Sequence, residues 1–181
     1  YNPTDNVTGR RGGNYSKLDK NGVIKPFVDG KPTRTIWLAS NRSTVNIIDQ
    51  TRLPHEFIII GLNTLDDAVK AISNMQVRGA PLIGVTAAYG MALAMGENAS
   101  DGGLDNAYTA LYNARPTAVN LRWALHDLRA ILDPLPEGKR KVAAYARAAE
   151  IADEDVEQCS SLGEHGKVII EKIWNEKNQP D

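Results

Sequence analysis

Cysteine is nearly absent from this chain: Cys159 stands alone among 181 residues. A single thiol excludes an internal disulfide and any cysteine-pair motif, and a reducing cytoplasmic setting is the simple expectation. No apolar run approaches the roughly 20 residues that a membrane-crossing helix needs. The best candidate, 81–95, is shorter and carries Thr86, Tyr89 and two glycines. Residues 1–20 are polar and glycine-rich, unlike a secretory leader. A net charge of −1 gives no bulk attraction to nucleic acid or to a membrane surface. That charge is uneven, with a balance of +4 over 1–60 and −5 over 61–181. Walker loop, dinucleotide fingerprint, Ser/His/Asp arrangement, paired-histidine zinc motif and internal repeat are all missing.

What remains is an ordinary globular composition, 42% hydrophobic and 24% charged, enough to bury a core. Residues 1–31 are poor in apolar groups and read as a flexible arm. From 32 to 62 the pattern favours three short strands, over 35–38, 44–49 and 56–60, joined by polar links into a small antiparallel meander. From 63 to 178 the period turns helical. Leu65, Ala68, Val69, Ile72 and Met75 share one helix face, with Thr64 as N-cap. Residues 81–95 are apolar nearly all round, which predicts a buried central helix. Gly102 and Gly103 are expected to break the chain before a short helix over 104–114. Thr117 is placed to cap the next helix, which Pro134 and Pro136 end. The last segment carries a stripe from Val142 through Tyr145, Ala149, Ala152, Val156, Cys159, Gly163, Gly166 and Ile170 to Ile173, predicting one long helix or two in line. Cys159 on that stripe is expected to be a buried structural thiol. Asp153, Glu154, Asp155 and Glu157 nearby would raise its pKa. Trp37, Trp123 and Trp174 read as core or interface residues. The fold class is α+β: a small N-terminal antiparallel sheet followed by a helical bundle, with 32–178 forming one domain.

Two stretches could carry chemistry. Arg78-Gly79-Ala80-Pro81 precedes the buried helix; helix N-termini present free N–H groups to anions, and a guanidinium suits phosphate. Local chemistry leaves open both a phosphate cradle and an ordinary loop with Arg78 paired to a surface carboxylate. Arg115-Pro116-Thr117 repeats the arrangement ahead of another helix, where an exposed arginine before a capped helix is the plainer reading. Gly163-Glu164-His165-Gly166 fits packing better than acid–base work, since adjacent helical residues do not face one another. His55 and His126 have no partner visible in the sequence.

Four ordered stretches resemble the methylthioribose-1-phosphate isomerase family, grouped with the regulatory subunits of translation initiation factor 2B. They are Asp49-Gln50-Thr51-Arg52-Leu53-Pro54, Val77-Arg78-Gly79-Ala80-Pro81-Leu82-Ile83-Gly84, Ala114-Arg115-Pro116-Thr117-Ala118-Val119-Asn120-Leu121 and Gly163-Glu164-His165-Gly166. The third separates the isomerases from their initiation-factor relatives. The resemblance implies that this is the N-terminal part of such an enzyme, with a Rossmann-like C-terminal domain absent from the chain. It implies substrate binding by Arg78, Gly79, Ala80 and Arg115, and places the catalytic cysteine and aspartate downstream, so that no residue here, Cys159 included, is assigned a catalytic role. The implied reaction is an aldose–ketose isomerisation of 5-methylthioribose 1-phosphate in methionine salvage, using neither metal nor organic cofactor. The implied partners are the sugar 1-phosphate and either the C-terminal half or a second copy of the chain. The fragment alone is expected to be inactive. Alternatives are a non-catalytic binding or assembly module and an isomerase for another sugar 1-phosphate, such as 5-deoxyribose 1-phosphate. If a second domain normally covers it, part of the stripe over 142–173 should be an exposed apolar patch.

Overall fold

A computed structural model describes residues 16–18, 24–28 and 31–177, with side chains from Thr33 onward. Two compact units emerge, one of residues 34–152 and one that joins the strands before Arg34 to the helical segment from Asp153. The second holds strands β1 (Ser16–Leu18), β2 (Ile24–Val28) and β3 (Lys31–Pro32), paired antiparallel in that order. Three short strands therefore occupy part of the segment expected as an arm; the rest of that segment lies outside the described residues.

The unit over 34–152 opens with the meander. Strands β4 (Ile36–Leu38), β5 (Val45–Ile48) and β6 (Ile59–Leu62) form an antiparallel sheet in sequence order, with Ile36 opposite Ile47 and Val45 opposite Leu62. The last strand begins three residues later than the apolar run 56–60 suggests. Residues 51–55 form turns that include a cis Leu53–Pro54 bond, and they hold the chain off the sheet until Ile59.

Helix α1 (Leu65–Ser73) starts at Thr64 as expected. The Thr64 hydroxyl accepts from Asp67 N–H at 3.1 Å, and the Asp67 carboxylate accepts from the Thr64 N–H at 3.0 Å, a reciprocal capping box. Helix α2 (Ala80–Glu97) is buried from Leu82 to Met95 and forms the axis of the unit. Gly90 lets it do so: a β-carbon there would stand 2.8 Å from Leu111 Cδ2 and 3.0 Å from Ala68 Cβ. Helix α3 (Asp101–Ala114) is capped by Ser100, and Gly102 and Gly103 lie inside its first turn rather than breaking the chain. Gly103 is required there, because a β-carbon would meet the Asn98 carbonyl oxygen. Helix α4 (Val119–Leu132) has Ala118, not Thr117, at its N-cap, with no side-chain capping bond.

Helix α5 (Glu137–Lys177) is one continuous helix of 41 residues. Its buried face runs through Arg140, Ala144, Ala148, Ile151 and Ala152, offset from the stripe read off the sequence. Small alanines fit against the bundle, while Val142 is left 73% exposed. Beyond Asp153 the expected burial fails. Val156, Cys159, Ile170 and Ile173 are exposed, as are Leu162, Val168 and Ile169, so the apolar patch over this region is present. A β-carbon at Gly163 or Gly166 would meet nothing within 4 Å, so no close approach explains these glycines. Trp123 and Trp174 are exposed and Trp37 is half-buried, so none is a core residue.

Candidate functional site

Two helices of the 34–152 unit begin side by side. Gly84, one turn into α2, faces Asn120 at the start of α4, where a β-carbon on Gly84 would stand 3.0 Å from the Asn120 carbonyl oxygen. At the opposite end Arg140 bonds both helices' exits, donating to Leu132 O at the end of α4, to Leu135 O just beyond it and to Ala99 O after α2. The two helices therefore run parallel, and their positive N-terminal ends share one end of the bundle.

Those two N-termini differ from their neighbours. Helix α1 has the Thr64 cap and Asp66 and Asp67 in its first turn, and α3 has the Ser100 cap and Asp101. Helices α2 and α4 have neither a side-chain cap nor an acidic residue in the first turn. The intrahelical ladder opens with Ile83 N–H on Gly79 O and with Arg122 N–H on Ala118 O. The amides that precede them have no intrahelical acceptor. Among the described residues, no side-chain cap or first-turn carboxylate meets these two helix dipoles and their leading donors.

Each expected site residue falls at this end. Arg78 is exposed and Gly79 is the N-cap of α2 at φ +90°, a left-handed region that favours glycine. A β-carbon at Gly79 would meet nothing within 4 Å, so the approach to the backbone is open. Ala80 opens the helix, and Pro81 occupies its first turn without losing a needed donor. Arg115 is half-buried at the C-cap of α3, and its carbonyl accepts from Ala118 N–H at 3.0 Å in the turn that leads into α4. Neither Arg78 nor Arg115 has an ion pair among the described residues, unlike Arg129, Arg140 and Arg147. Among the described residues, the surface-paired reading of Arg78 therefore finds no partner carboxylate.

The remaining candidates behave differently. Cys159 is exposed, not buried; its thiol is raised above the usual range by partial desolvation, by the Asp155 charge and by a contact to Asp155 Oδ1 at 3.9 Å. His165 Nδ1 lies 2.7 Å from Ser161 O, one turn back on its own helix. His126 meets Tyr108 Oη at 3.3 Å and packs edge-on to its ring, a partnership across two helices that the sequence does not display. Among the described residues no cluster of three His, Cys, Asp or Glu side chains could hold a metal, and no helix is long and apolar enough to cross a membrane.

Comparisons with known proteins place the chain among relatives of the same fold. A family described as the initiation factor 2 subunit family matches residues 76–175. The methylthioribose-1-phosphate isomerase of Paramagnetospirillum magneticum is 59% identical over 152 residues, covering 84% of this chain and 42% of that protein. That of Methylorubrum extorquens is 52% identical over 153 residues, with the same shares. The chain thus spans less than half the length of these relatives. Among solved structures, 5-methylthioribose 1-phosphate isomerase from Pyrococcus horikoshii superposes with a TM-score of 0.64 at 38% identity, over 70% of this chain and 38% of that one. The delta subunit of translation initiation factor eIF-2B from A. fulgidus gives 0.62 at 33%, over 68% and 38%.

Proposed function

From the premise that this chain belongs to the initiation factor 2 subunit family, we propose that it is the phosphate-gripping part of an aldose–ketose isomerase converting 5-methylthioribose 1-phosphate to 5-methylthioribulose 1-phosphate. The observation that carries this reading is the pair of parallel, uncapped helix N-termini, each led by an arginine free of any carboxylate among the described residues. Arg78 and Arg115 supply charge and forked donors, and the open backbone at Gly79 and Ala80 lets phosphate oxygens reach the α2 amides.

The chemistry explains why such a grip matters. A 1-phosphate locks an aldose as a cyclic acetal, and acid catalysis must open the ring before the carbonyl can move from C1 to C2. Holding the phosphate on two helix ends fixes C1 and C2 against groups that transfer the proton or hydride. None of the residues at this site is a suitable acid or base, so those groups lie outside it.

The test is calorimetric titration of the 181-residue chain with inorganic phosphate and with ribose 1-phosphate. Binding is expected, weakened about tenfold or more by Arg78→Ala and by Arg115→Ala, with no isomerase turnover by the chain alone. Absence of binding, or variants that bind as the parent does, would refute the phosphate grip. The competing reading, a non-catalytic assembly module, draws on the likeness to the eIF-2B delta subunit. It predicts tight association with another chain and indifference to sugar phosphates.

A further inference from the structure

The stretch Asp49-Gln50-Thr51-Arg52-Leu53-Pro54 has no part in the phosphate grip as described, yet its backbone is tied to the loop that presents Arg78. Asp49 is a buried carboxylate, 4% exposed. Its Oδ1 accepts from Thr51 N–H at 2.9 Å and from the Thr51 hydroxyl at 2.6 Å, and its carbonyl accepts from Arg52 N–H at 3.3 Å. Asp49 N–H donates to Ile58 O at 2.9 Å, fastening the turn to the start of β6. This is an aspartate-centred turn in which one side chain organises the two residues after it.

Gln50, held inside that turn, donates its N–H to Gln76 O at 2.9 Å. Gln76 in turn donates to Ala71 O at 2.9 Å, while Met75, at φ +59°, donates to Ile72 O at 3.2 Å. Those two bonds close α1 in the Schellman pattern. Gln76 is therefore bonded through both its N–H and its C=O, by the helix behind it and by the Asp49 turn. Val77 follows, fully buried, and then Arg78 and Gly79. Only two residues separate the doubly held Gln76 from Gly79.

We infer that Asp49 is a positioning residue: its turn, acting through the Gln50–Gln76 bond, sets the path of Arg78-Gly79-Ala80 and so the geometry of the phosphate grip. A buried carboxylate is costly to desolvate, and its two Thr51 bonds are spent on shaping this loop. The ligand half of the inference rests on the proposed phosphate-binding function; the loop half does not.

The experiment uses the 15N-labelled 181-residue chain and its Asp49→Ala and Asp49→Asn variants. It reads hydrogen exchange at the Gln50 amide, fast backbone motion at Arg78, Gly79 and Ala80, and affinity for inorganic phosphate. Alanine removes the acceptor for both Thr51 donors. Gln50 should lose protection, residues 78–80 should become mobile, and phosphate affinity should fall about tenfold through lost preorganisation. Asparagine keeps an oxygen at the same place and should restore all three to within about threefold of the parent. If Asp49→Ala unfolds the chain, Thr51→Ala, which removes one of the two donors, should give the same changes in smaller measure. Residues 78–80 that stay as rigid as in the parent when the turn is broken would overturn the inference. An asparagine variant as impaired as the alanine variant, with its fold intact, would do so too. Mobile 78–80 in a chain whose parent binds no phosphate would uphold the positioning role and reject the phosphate grip.

Discussion

Gly84 and Asn120 touch where α2 and α4 begin, with 3.0 Å between the Asn120 carbonyl oxygen and the place a β-carbon on Gly84 would take. The obstacle is backbone, not the end of a flexible side chain, so it cannot turn aside. Gly84→Ala is expected to cost about 1–3 kcal/mol through overpacking and to splay the two N-termini, lowering phosphate affinity as well. Thermal unfolding and titration of the same variant check both. A variant as stable as the parent would mean that the contact is looser than described.

At the far end, the Arg140 side chain is 4% exposed and serves four backbone carbonyls, those of Ala99, Leu132, Asp133 and Leu135, together with the Asp101 carboxylate at 2.6 Å. These include carbonyls at the end of α4 that have no partner within the helix. Arg140→Met keeps much of the volume and removes every one of these bonds, leaving Leu132 O with the Leu135 N–H at 3.1 Å. A loss of about 3 kcal/mol or more in denaturant unfolding is expected, far larger than for Arg129→Met, whose partners Asp105 and Asp133 lie at the surface.

The capping box makes a pH-dependent contribution. Asp67 is held below its ordinary value, first by the Asn63 N–H bond at 2.9 Å, with desolvation opposing and the Thr64 bonds adding to the lowering. A depressed carboxyl stabilises the fold above its unfolded pKa of 3.8 and loses that contribution as pH falls through the lower folded value. Thr64→Ala should cost about 1 kcal/mol at neutral pH. Asp67→Asn should flatten the acid limb of the stability curve below pH 4, measured by urea unfolding across pH.

Cys159 is exposed, but its raised pKa leaves less thiolate at neutral pH than an ordinary cysteine has. Alkylation by iodoacetamide at pH 7 should be slower than for a free thiol. Asp155→Asn, which removes a neighbouring negative charge, should speed it. An Asp155→Asn variant that reacts no faster than the parent would remove Asp155 as a cause.

Much of the fold was legible because local chemistry set it. Thr64 directly ahead of the helical apolar period of Leu65, Ala68 and Ile72 marks the start of α1. The all-apolar run from Leu82 to Met95 has to be buried on every side. The third strand was misplaced because an apolar run alone does not reveal that the residues before Ile59 are drawn into turns. The buried face of α5 was misread for a related reason: the bundle accepts the small side chains of Ala144 and Ala148 and leaves Val142 outside, so size outweighed hydrophobicity. The lack of caps and acids at α2 and α4 stood in the sequence as a usable signal, though Thr117 masked it by resembling a cap one residue too early.

Two arginines before two helices, glycine where backbone must be approached, and a central helix without a polar face are matters of residue type and spacing, and composition and order settle them. Whether the helix starts that follow those arginines lie side by side depends on which way α4 runs beside α2, and no local pattern encodes that. It follows from Gly84 seating on Asn120 at one end and Arg140 gathering the carbonyls at the other. The Gly84–Asn120 and Arg140–Ala99 contacts join residues 36 and 41 positions apart, and they exist once the chain has closed its loops and packed its core.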